Sequence, residues 1–281
     1  MILQWDFNAA DGSTCGVGRT HKKTGGVRVK HVFAVSLAFI MVLCAAGAFA
    51  AQPLGGPVDA EKGKWAGSVG YFYSQDRWTS STTIGDFDPK VNTYSYFGQL
   101  AYGVAQGWDV YVRGGVLDAK LVQSNVDFTD NGKFFAAIGT HGTLFEKKEW
   151  HLALGPIANV AYYSNWTDRG GSPVLAATGT GFSSITIKEH WSANVGFGFR
   201  WTPIQFLTVY GGPFFNYETA KLEATGRFRG IPISSSNNIE ADKSFGSRLG
   251  IRIPFKDQFS INFEAQMKDY FGAGGWLTFN F

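Results

Sequence analysis

Hydrophobic and polar residues alternate with a period of two along most of the chain after residue 65, and this pattern predicts β-strands. Between Gln258 and Lys268, apolar side chains occupy every second position from Phe259 to Met267, and the positions between them are polar. The stretch from His190 to Trp201 repeats the pattern with aromatic and aliphatic residues on one face. The chain after residue 51 holds no convincing helical period and no apolar run of about 20 residues, which favours an all-β fold.

The alternation predicts ten strands, which span residues 65–73, 93–104, 108–119, 133–145, 150–163, 190–201, 206–217, 243–254, 258–268 and 275–281. Short turns at 105–107, 146–149, 202–205 and 255–257 alternate with long polar stretches at 74–92, 120–132, 164–189 and 218–242. Such alternation is typical of outer-membrane barrels, in which the short turns face the periplasm and the long loops face outward. An even number of strands closes the sheet with both termini on the periplasmic side, and eight strands are the nearest alternative.

The first 50 residues have the organisation of an export signal. An uninterrupted run of apolar and small residues covers 32–50, follows several basic residues and ends in Ala48-Phe49-Ala50. This arrangement predicts a signal peptide that is cleaved after Ala50. A stop-transfer helix is less favoured, because the run ends in small residues and not in charges. We therefore expect a leader at 1–50, a periplasmic N-terminal segment at 51–64 and a barrel at 65–281.

Removing the leader changes the charge and cysteine balance. The leader holds five of the 25 Lys and Arg residues and two of the 22 Asp and Glu residues, which leaves 20 of each. A neutral mature chain gives no reason to expect a nucleic-acid partner. Both cysteines, Cys15 and Cys44, also lie in the leader, so a small disulfide-stabilised secreted scaffold is excluded.

The residues on the two strand faces indicate which face points outward, although soluble sandwiches and lipocalin-like barrels alternate equally well. The polar face combines glycines with arginines: Gly196, Gly198, Gly246, Gly250, Arg200, Arg248 and Arg252. Glycine is disfavoured on an exposed strand surface but fits the crowded lumen of a narrow barrel. The apolar face begins or ends in aromatic residues at several strands: Trp65, Tyr73, Tyr94, Trp150, Tyr162, Trp191 and Trp201. These residues suit the interfacial girdles of a membrane barrel, with the apolar face outward.

The last strand carries a resemblance to a known family. Leu277, Phe279 and Phe281 occupy alternate positions and end the chain on an aromatic residue, which resembles the C-terminal assembly signal of bacterial outer-membrane barrels. Over residues 65–281 the chain resembles this superfamily, closest in size to the small barrels of the OmpA and opacity-protein type. The resemblance implies a closed antiparallel up-and-down transmembrane β-barrel in the bacterial outer membrane, surrounded by lipid and assembled by transient contact with the barrel-assembly machinery. The best-known small relatives have eight strands, and ten are predicted here.

The sequence carries no recognised catalytic, phosphate-binding or cysteine metal motif, and Gly179-Thr180-Gly181 lacks the context of a dinucleotide fold. Some outer-membrane barrels are hydrolases with acids and histidines near the outer rim, where Asp118, Asp127, Asp130, Glu189, His190 and Asp242 are expected. Those residues form no recognisable motif, so we assign no catalytic residue. His141 and His151 lie near one short turn and could touch. Two passive wall histidines are favoured over a metal pair, and no metal or cofactor is predicted.

Charged residues on the polar face are the better site hypothesis. We expect the lumen charges to be Asp109, Arg113, Arg200, Arg248, Arg252, Glu264 and Lys268. A lumen of this width has little spare volume, so these side chains are expected to form a plug of ion pairs and not a conductive lining. If they line a water path, the arginine excess favours anions.

The long polar stretches offer a second candidate surface. Trp78 with Ser80–Thr83, and Arg169–Ser184, are rich in small polar residues and suit adaptable contacts with an extracellular ligand. A mobile coat without a partner is the alternative. The sequence thus favours a structural or surface-interaction barrel with a side-chain-filled lumen, because open aqueous channels need about sixteen strands. A narrow porin-like channel for small solutes is the second interpretation, and a rim-located hydrolase acting on lipid or peptide is the third.

Overall fold

A computed structural model of the chain describes residues 52–56, 58–82, 85–87, 90–123, 126–168, 180–228, 231–241, 244–256, 258–268 and 271–281. The leader, with the predicted cleavage residues Ala48 and Ala50, lies outside the described residues, and the signal peptide stays a prediction. None of the described residues belongs to a helix that is long and apolar enough to cross a membrane.

The described chain forms one antiparallel sheet of fourteen strands. The strands are β1 (Trp65–Thr82), β2 (Gly85–Phe87), β3 (Lys90–Ala105), β4 (Trp108–Gln123), β5 (Val126–Gly142), β6 (Phe145–Lys147), β7 (Leu152–Tyr163), β8 (Trp166–Asp168), β9 (Thr180–Ile204), β10 (Leu207–Phe228), β11 (Ile231–Ala241), β12 (Ser244–Phe255), β13 (Phe259–Met267) and β14 (Phe271–Asn280). A single turn of 3-10 helix at Lys148–Trp150 precedes β7.

Ten of these strands close into a barrel. Each of β1, β3, β4, β5, β7, β9, β10, β12, β13 and β14 pairs with the next in this order, and β14 returns to β1. Reciprocal backbone hydrogen bonds of 3.1 and 3.0 Å between Trp65 and Phe281 complete the seam. The predicted ten-stranded, all-β, closed antiparallel barrel is confirmed, and the alternative of eight strands is wrong.

The two faces of the wall differ as predicted. On β13, Asn262 and Glu264 point inward with 0% and 3% exposure, whereas Ile261 and Phe263 point outward with 37% and 50% exposure. Phe134 on β5 is also 58% exposed on the outer face. A soluble barrel would bury these apolar side chains, so an apolar exterior around a polar interior is the arrangement of a membrane barrel.

Aromatic pairs lie toward both ends of the outward face. Near the outer end, the rings of Tyr73 and Tyr94 lie 5.1 Å apart. Near the short turns, the rings of Trp65 and Tyr102 lie 4.7 Å apart. Amphipathic rings at two levels, with aliphatic residues between them, match the interfacial girdles of outer-membrane barrels.

The prediction of four long loops is largely wrong, because strands run through most of those residues. β1 continues to Thr82, β9 starts at Thr180, β10 continues to Phe228 and β11 fills most of the stretch predicted as the last loop. Polar residues such as Ser234, Ser236 and Asn238 lack the apolar alternation of a half-buried strand. They nevertheless pair with β10 over ten positions, because cross-strand hydrogen bonds satisfy their backbone.

The strands β9, β10 and β11 therefore form an extension beyond the barrel on its outer side. Lys188 on β9 contacts Glu223 on β10 at 2.6 Å, and both side chains are partly exposed. The hydrogen bond from Lys188 holds the pKa of Glu223 below its usual range. The extension thus carries a polar outer surface typical of residues in water.

The expected periplasmic position of the N-terminal segment also needs correction. The described residues 52–56 and 58–60, which we call the N-terminal segment, lie inside the barrel, where Gln52, Leu54, Asp59 and Ala60 are at most 6% exposed. Residues 61–64 are exposed at the short-turn end. The physical reason is that inward-facing charges in a narrow lumen need polar partners, and the backbone of the segment supplies them.

Candidate functional site

Five of the seven sequence-predicted lumen charges contact the N-terminal segment. They are Asp109 and Arg113 on β4, Arg248 and Arg252 on β12, and Glu264 on β13. Residues on one strand that are two or four positions apart point to the same face, so each strand directs its charges into the same space. We call this space, the half of the interior nearest the short turns, the lower lumen.

Three arginines bind backbone carbonyl groups of the segment. Arg113 donates to the carbonyl oxygen of Pro53 at 2.5 Å, and its other nitrogens donate to the Gln99 side chain. Arg248 donates to the carbonyl oxygen of Gly55. Arg252 donates to the carbonyl oxygen of Val58 at 3.4 Å and pairs with the Asp59 carboxylate. The segment therefore supplies at least one acceptor to each of these three guanidinium groups.

Two carboxylates bind backbone amides of the same segment. The Glu264 carboxylate accepts a hydrogen bond of 2.9 Å from the backbone amide of Leu54. The Asp109 carboxylate accepts hydrogen bonds from the backbone amides of Asp59, at 2.5 Å, and Ala60, at 3.3 Å. The Gln266 side chain donates to the carbonyl oxygen of Gln52 at 2.6 Å. Donors and acceptors of the segment thus both have partners on the wall.

His141 links the wall to the segment. Its Nδ1 lies 3.0 Å from Asp109 Oδ1, and its Nε2 lies 3.0 Å from the carbonyl oxygen of Leu54. The ring stacks on Tyr111 with centroids 4.9 Å apart. The predicted possibility that His141 touches His151 is wrong, because His151 is exposed in the turn before β7 while His141 is 2% exposed.

Ligand atoms of Asp59, Asp109 and His141 lie within 4.8 Å of one another, close enough in principle to hold a metal ion. Each group already has protein partners, and the Arg252 guanidinium pairs with Asp59. A cation beside that guanidinium would be repelled, so the three residues are better described as a hydrogen-bonded clamp on the segment.

Side-chain packing and charge balance add to the backbone contacts. Leu54 packs against Ile157 and Phe214 in a small buried apolar cluster. The five wall charges in contact with the segment comprise three arginines and two carboxylates, and Asp59 of the segment supplies a third carboxylate. The segment therefore balances the formal charge of the lower lumen apart from His141.

The two remaining predicted lumen charges lie elsewhere. Arg200 is half-buried and lines a vestibule of about 780 Å³ at the short-turn end, together with Arg252 and Glu146. Lys268 lies farther out and contacts Asp76 at 3.2 Å. The seven predicted lumen charges thus lie at three levels of the interior: Arg200 at the vestibule, five residues in the lower lumen, and Lys268 farther out.

Above the lower lumen, aromatic side chains from five strands fill the interior. They belong to one buried apolar cluster and comprise Phe72, Phe97, Phe135, Tyr163 and Trp276, which we call the aromatic layer. Phe97 and Trp276 have ring centroids 6.4 Å apart, and Phe135 and Tyr163 lie 6.1 Å apart. The Arg113 guanidinium lies 4.8 Å from the Phe97 ring centroid, which joins the layer to the lower lumen.

A second group of charges lies toward the outer end of the interior. The Asp76–Lys268 pair lies there, and His190 Nε2 lies 2.5 Å from Glu218 Oε1. The His190 ring stacks on Tyr163 with centroids 4.0 Å apart. The side chains of these four residues, the upper charge cluster, are buried, so their present arrangement gives a substrate little access.

The other predicted rim residues are not brought together with this cluster as one exposed site. Asp118 accepts a hydrogen bond from the backbone amide of Gly132. Asp130 forms an ion pair with Lys133 and accepts a hydrogen bond from the backbone amide of Thr167. Glu189 is exposed at a backbone irregularity with φ of 51°. The Asp127 side chain and the whole of Asp242 lie outside the described residues.

The two candidate outer surfaces are only partly described. The backbone of Trp78 and of 80–82 lies in β1, and residues 180–184 lie in β9, where they pair with β10. Thr83 and residues 169–179 lie outside the described part of the chain. The interpretation of 180–184 as loop is wrong.

The three residues of the predicted assembly signal lie on the last strand and at its end. Leu277 and Phe281 are 39% and 58% exposed, and the rings of Phe279 and Phe281 stack with centroids 5.6 Å apart. Their role in assembly stays a prediction.

Sequence reasoning missed the N-terminal segment and its partners Gln99 and Gln266. One signal pointed to a missing partner: arginines outnumber carboxylates among the predicted lumen charges, by four to two before Lys268 is counted.

The closed ten-stranded wall and its apolar exterior define the chain as a transmembrane β-barrel of the outer-membrane type. No family model matches the chain, and no curated protein matches it in sequence. The structure is similar to the translocator domain of the autotransporter NalP from Neisseria meningitidis, with a TM-score of 0.45 and 10% identity over 90% of this chain and 96% of that one.

Two further similar structures belong to proteins of different kinds. The outer membrane protein OprG from Pseudomonas aeruginosa has a TM-score of 0.43 and 10% identity over 80% of this chain and 99% of that one. The outer membrane protease OmpT from Escherichia coli has a TM-score of 0.45 and 9% identity over 78% of this chain and 97% of that one. Similarities this distant do not assign a function within the class.

Proposed function

We propose that the protein is a structural or surface-interaction barrel whose lumen is closed at rest. The observation that carries this proposal is that the interior is filled at successive levels, by the N-terminal segment in the lower lumen and by the aromatic layer above it. Beside Gly56 and Arg248 a cavity of about 30 Å³ remains, room for about one water molecule. A lumen filled in this way favours a scaffold over a solute path.

The outer extension supports a role at the cell surface. Its strands carry polar residues outward, among them Lys188, Glu223 and Ser236, and they project the sheet beyond the aromatic girdle. A polar surface of paired strands suits contact with an extracellular ligand better than a freely moving loop does. Cleavage of the leader after Ala50 and recognition of Phe281 by the assembly machinery belong to the same proposal.

A narrow channel for small solutes is the second candidate. The observation in its favour is that polar contacts hold most of the N-terminal segment, and an open vestibule of about 780 Å³ lies next to it. Displacing the segment would expose Arg113, Arg248 and Arg252, and an arginine-rich wall favours anions. A rim hydrolase gains less support, because the His190–Glu218 pair is buried.

Single-channel recording tests the choice between scaffold and channel. The processed protein, confirmed as folded by heat-modifiable gel migration, is inserted into a planar bilayer, and we expect no discrete openings at moderate voltage. Stable openings in the unaltered protein would reject the closed scaffold and support the channel. Their anion-to-cation permeability ratio would then show whether the arginines line the path.

A further inference from the structure

We infer that the lower lumen is a binding site for an extended polypeptide, and that the N-terminal segment (52–56 and 58–60), freed from the leader, is its ligand. This inference deepens the proposed closed barrel by naming what closes its lower half, and it rests on cleavage after Ala50.

The wall recognises the backbone of the segment along most of its length. The carbonyl groups of Gln52, Pro53, Leu54, Gly55 and Val58 each have a side-chain partner on the wall. The amides of Leu54, Asp59 and Ala60 are bound by wall carboxylates. Incidental packing of a tail would leave many of these groups to water, whereas eight paired backbone groups describe a fitted site.

The wall also needs the segment. Arg113 and Arg248 are 4% and 5% exposed, and each directs a guanidinium nitrogen at a segment carbonyl group. On the wall itself, Arg248 has an ion pair with Glu264 at 3.6 Å and Arg113 has the neutral Gln99. Without the segment, the nitrogen that each arginine directs at a segment carbonyl group would need water or a new partner. The segment therefore supplies acceptors that the wall does not offer to these buried guanidinium groups, and this favours the bound state.

Two features select this particular segment. Leu54 packs against Ile157 and Phe214. At Gly55, where φ is 92°, a Cβ atom would lie 2.7 Å from His141 Nε2, so the close approach of the backbone requires glycine there. An extended peptide with an apolar residue followed by glycine therefore fits, and a bulkier sequence does not.

The direction of the segment explains why it must be free of the leader. Asp59 contacts Arg252 on β12, which pairs with Asn262 in the first half of β13. Gln52 contacts Gln266, close to the end of β13. The amino-terminal end therefore points outward, toward the aromatic layer and the upper charge cluster. A leader still attached before Gln52 and continuing in this direction would meet an interior filled by wall side chains.

Thiol labelling tests the inference in the exported full-length gene product, because the chain after residue 50 contains no cysteine. Leu54→Cys places a thiol at a 2% exposed position, and Glu61→Cys places one at an exposed position just outside the lumen. In the folded barrel we expect a bulky maleimide to label Leu54→Cys at least about tenfold more slowly than Glu61→Cys. Equal rates for Leu54→Cys, and for a second reporter Gln52→Cys at a 3% exposed position, would overturn the inference.

Matched insertions test the need for a free end. A flexible stretch of about ten residues inserted between Ala51 and Gln52 should bring the Leu54→Cys rate to within about twofold of the Glu61→Cys rate. The same stretch between Lys62 and Gly63, which are exposed, should leave Leu54→Cys protected. Protection that survives the first insertion would overturn the requirement for a free end.

A point variant covers the case in which the first insertion prevents folding. Arg248→Met removes the donor to Gly55, and labelling of Leu54→Cys should accelerate severalfold in a barrel that remains heat-modifiable. An unchanged rate would contradict the inference. If Leu54→Cys labels rapidly in a folded barrel that conducts no ions, docking of the segment is rejected. The closed scaffold is then still supported, because the aromatic layer fills the interior independently of the segment.

Discussion

The lower lumen and the aromatic layer fill the same barrel by different means. The aromatic layer consists of wall side chains, such as Phe97 on β3 and Trp276 on β14, whose strands lie on either side of β1. The lower lumen is filled by a separate piece of chain, and its contact between Leu54 and Glu264 joins residues 210 positions apart. The wall therefore closes its middle unaided, and its lower half depends on the N-terminal segment.

This contrast predicts different responses to mutation. Removing an aromatic ring leaves a cavity, whose cost grows with its volume and stays local. Removing one member of a buried ion pair leaves the other member without a partner, and every group that was hydrogen-bonded to the removed side chain loses that contact. The following substitutions test whether the two regions respond in these two ways.

Trp276→Ala should have the largest effect, a loss of about 3–5 kcal/mol in the free energy of unfolding, because it empties the centre of the aromatic layer. Urea unfolding in lipid micelles measures it. The matched control is Phe134→Ala on the lipid-facing surface, which should cost about 1 kcal/mol because lipid fills the space. Equal losses for the two variants would contradict the filled middle.

Asp109→Ala should come next, with a loss of about 3 kcal/mol, because Asp109 accepts hydrogen bonds from His141 and from two segment amides. The loss should be accompanied by release of the segment, seen as labelling of Leu54→Cys. Asp118→Ala, which removes an exposed hydrogen bond to Gly132, should cost less than about 1 kcal/mol and leave the segment docked.

Gly55→Ala should destabilise the docked segment by about 2 kcal/mol, because φ is 92° and the new Cβ atom would meet His141. Gly63→Ala is the control, since φ is 76° there and nothing lies within 4 Å of the added atom. It should cost only the backbone term of about 1 kcal/mol. Identical labelling of Leu54→Cys in both backgrounds would show that the close fit at Gly55 does not matter.

Glu223→Ala should have the smallest effect, with no measurable change in unfolding. The Lys188–Glu223 pair lies on the outer extension in water, where ion pairs contribute little. A clear loss of stability would mean that the extension supports the barrel more than this account allows.

The wall was predictable from the sequence because one face of each strand meets lipid. On β13, Ile261 and Phe263 alternate with Asn262 and Glu264, and the period of two fixes strand, face and neighbours together. The extension was not predictable in the same way. Residues such as Ser234 and Ser236 meet water on the exposed face, so their strand pairing leaves little hydrophobic pattern in the sequence.

The placement of the inward charges followed from the same alternation, but their partners did not. Inward charges were expected to form ion pairs across the lumen, and Arg248 does pair with Glu264, but Arg113 and Arg248 also bind the carbonyl groups of Pro53 and Gly55. Contacts with a backbone carry no side-chain signature, and the segment has no periodic pattern of its own. Only the surplus of arginine over carboxylate indicated that something was missing.

Hydrogen exchange on the unaltered, processed protein tests the central claim most directly, because it follows the segment amides without mutation. Docking predicts that peptides covering residues 52–60 retain deuterium-resistant amides for minutes or longer, at Leu54, Asp59 and Ala60, while the exposed Glu61 and Lys62 exchange at once. Complete exchange of the whole stretch within seconds in a folded barrel would show a free periplasmic tail, and the closed lower lumen would be wrong.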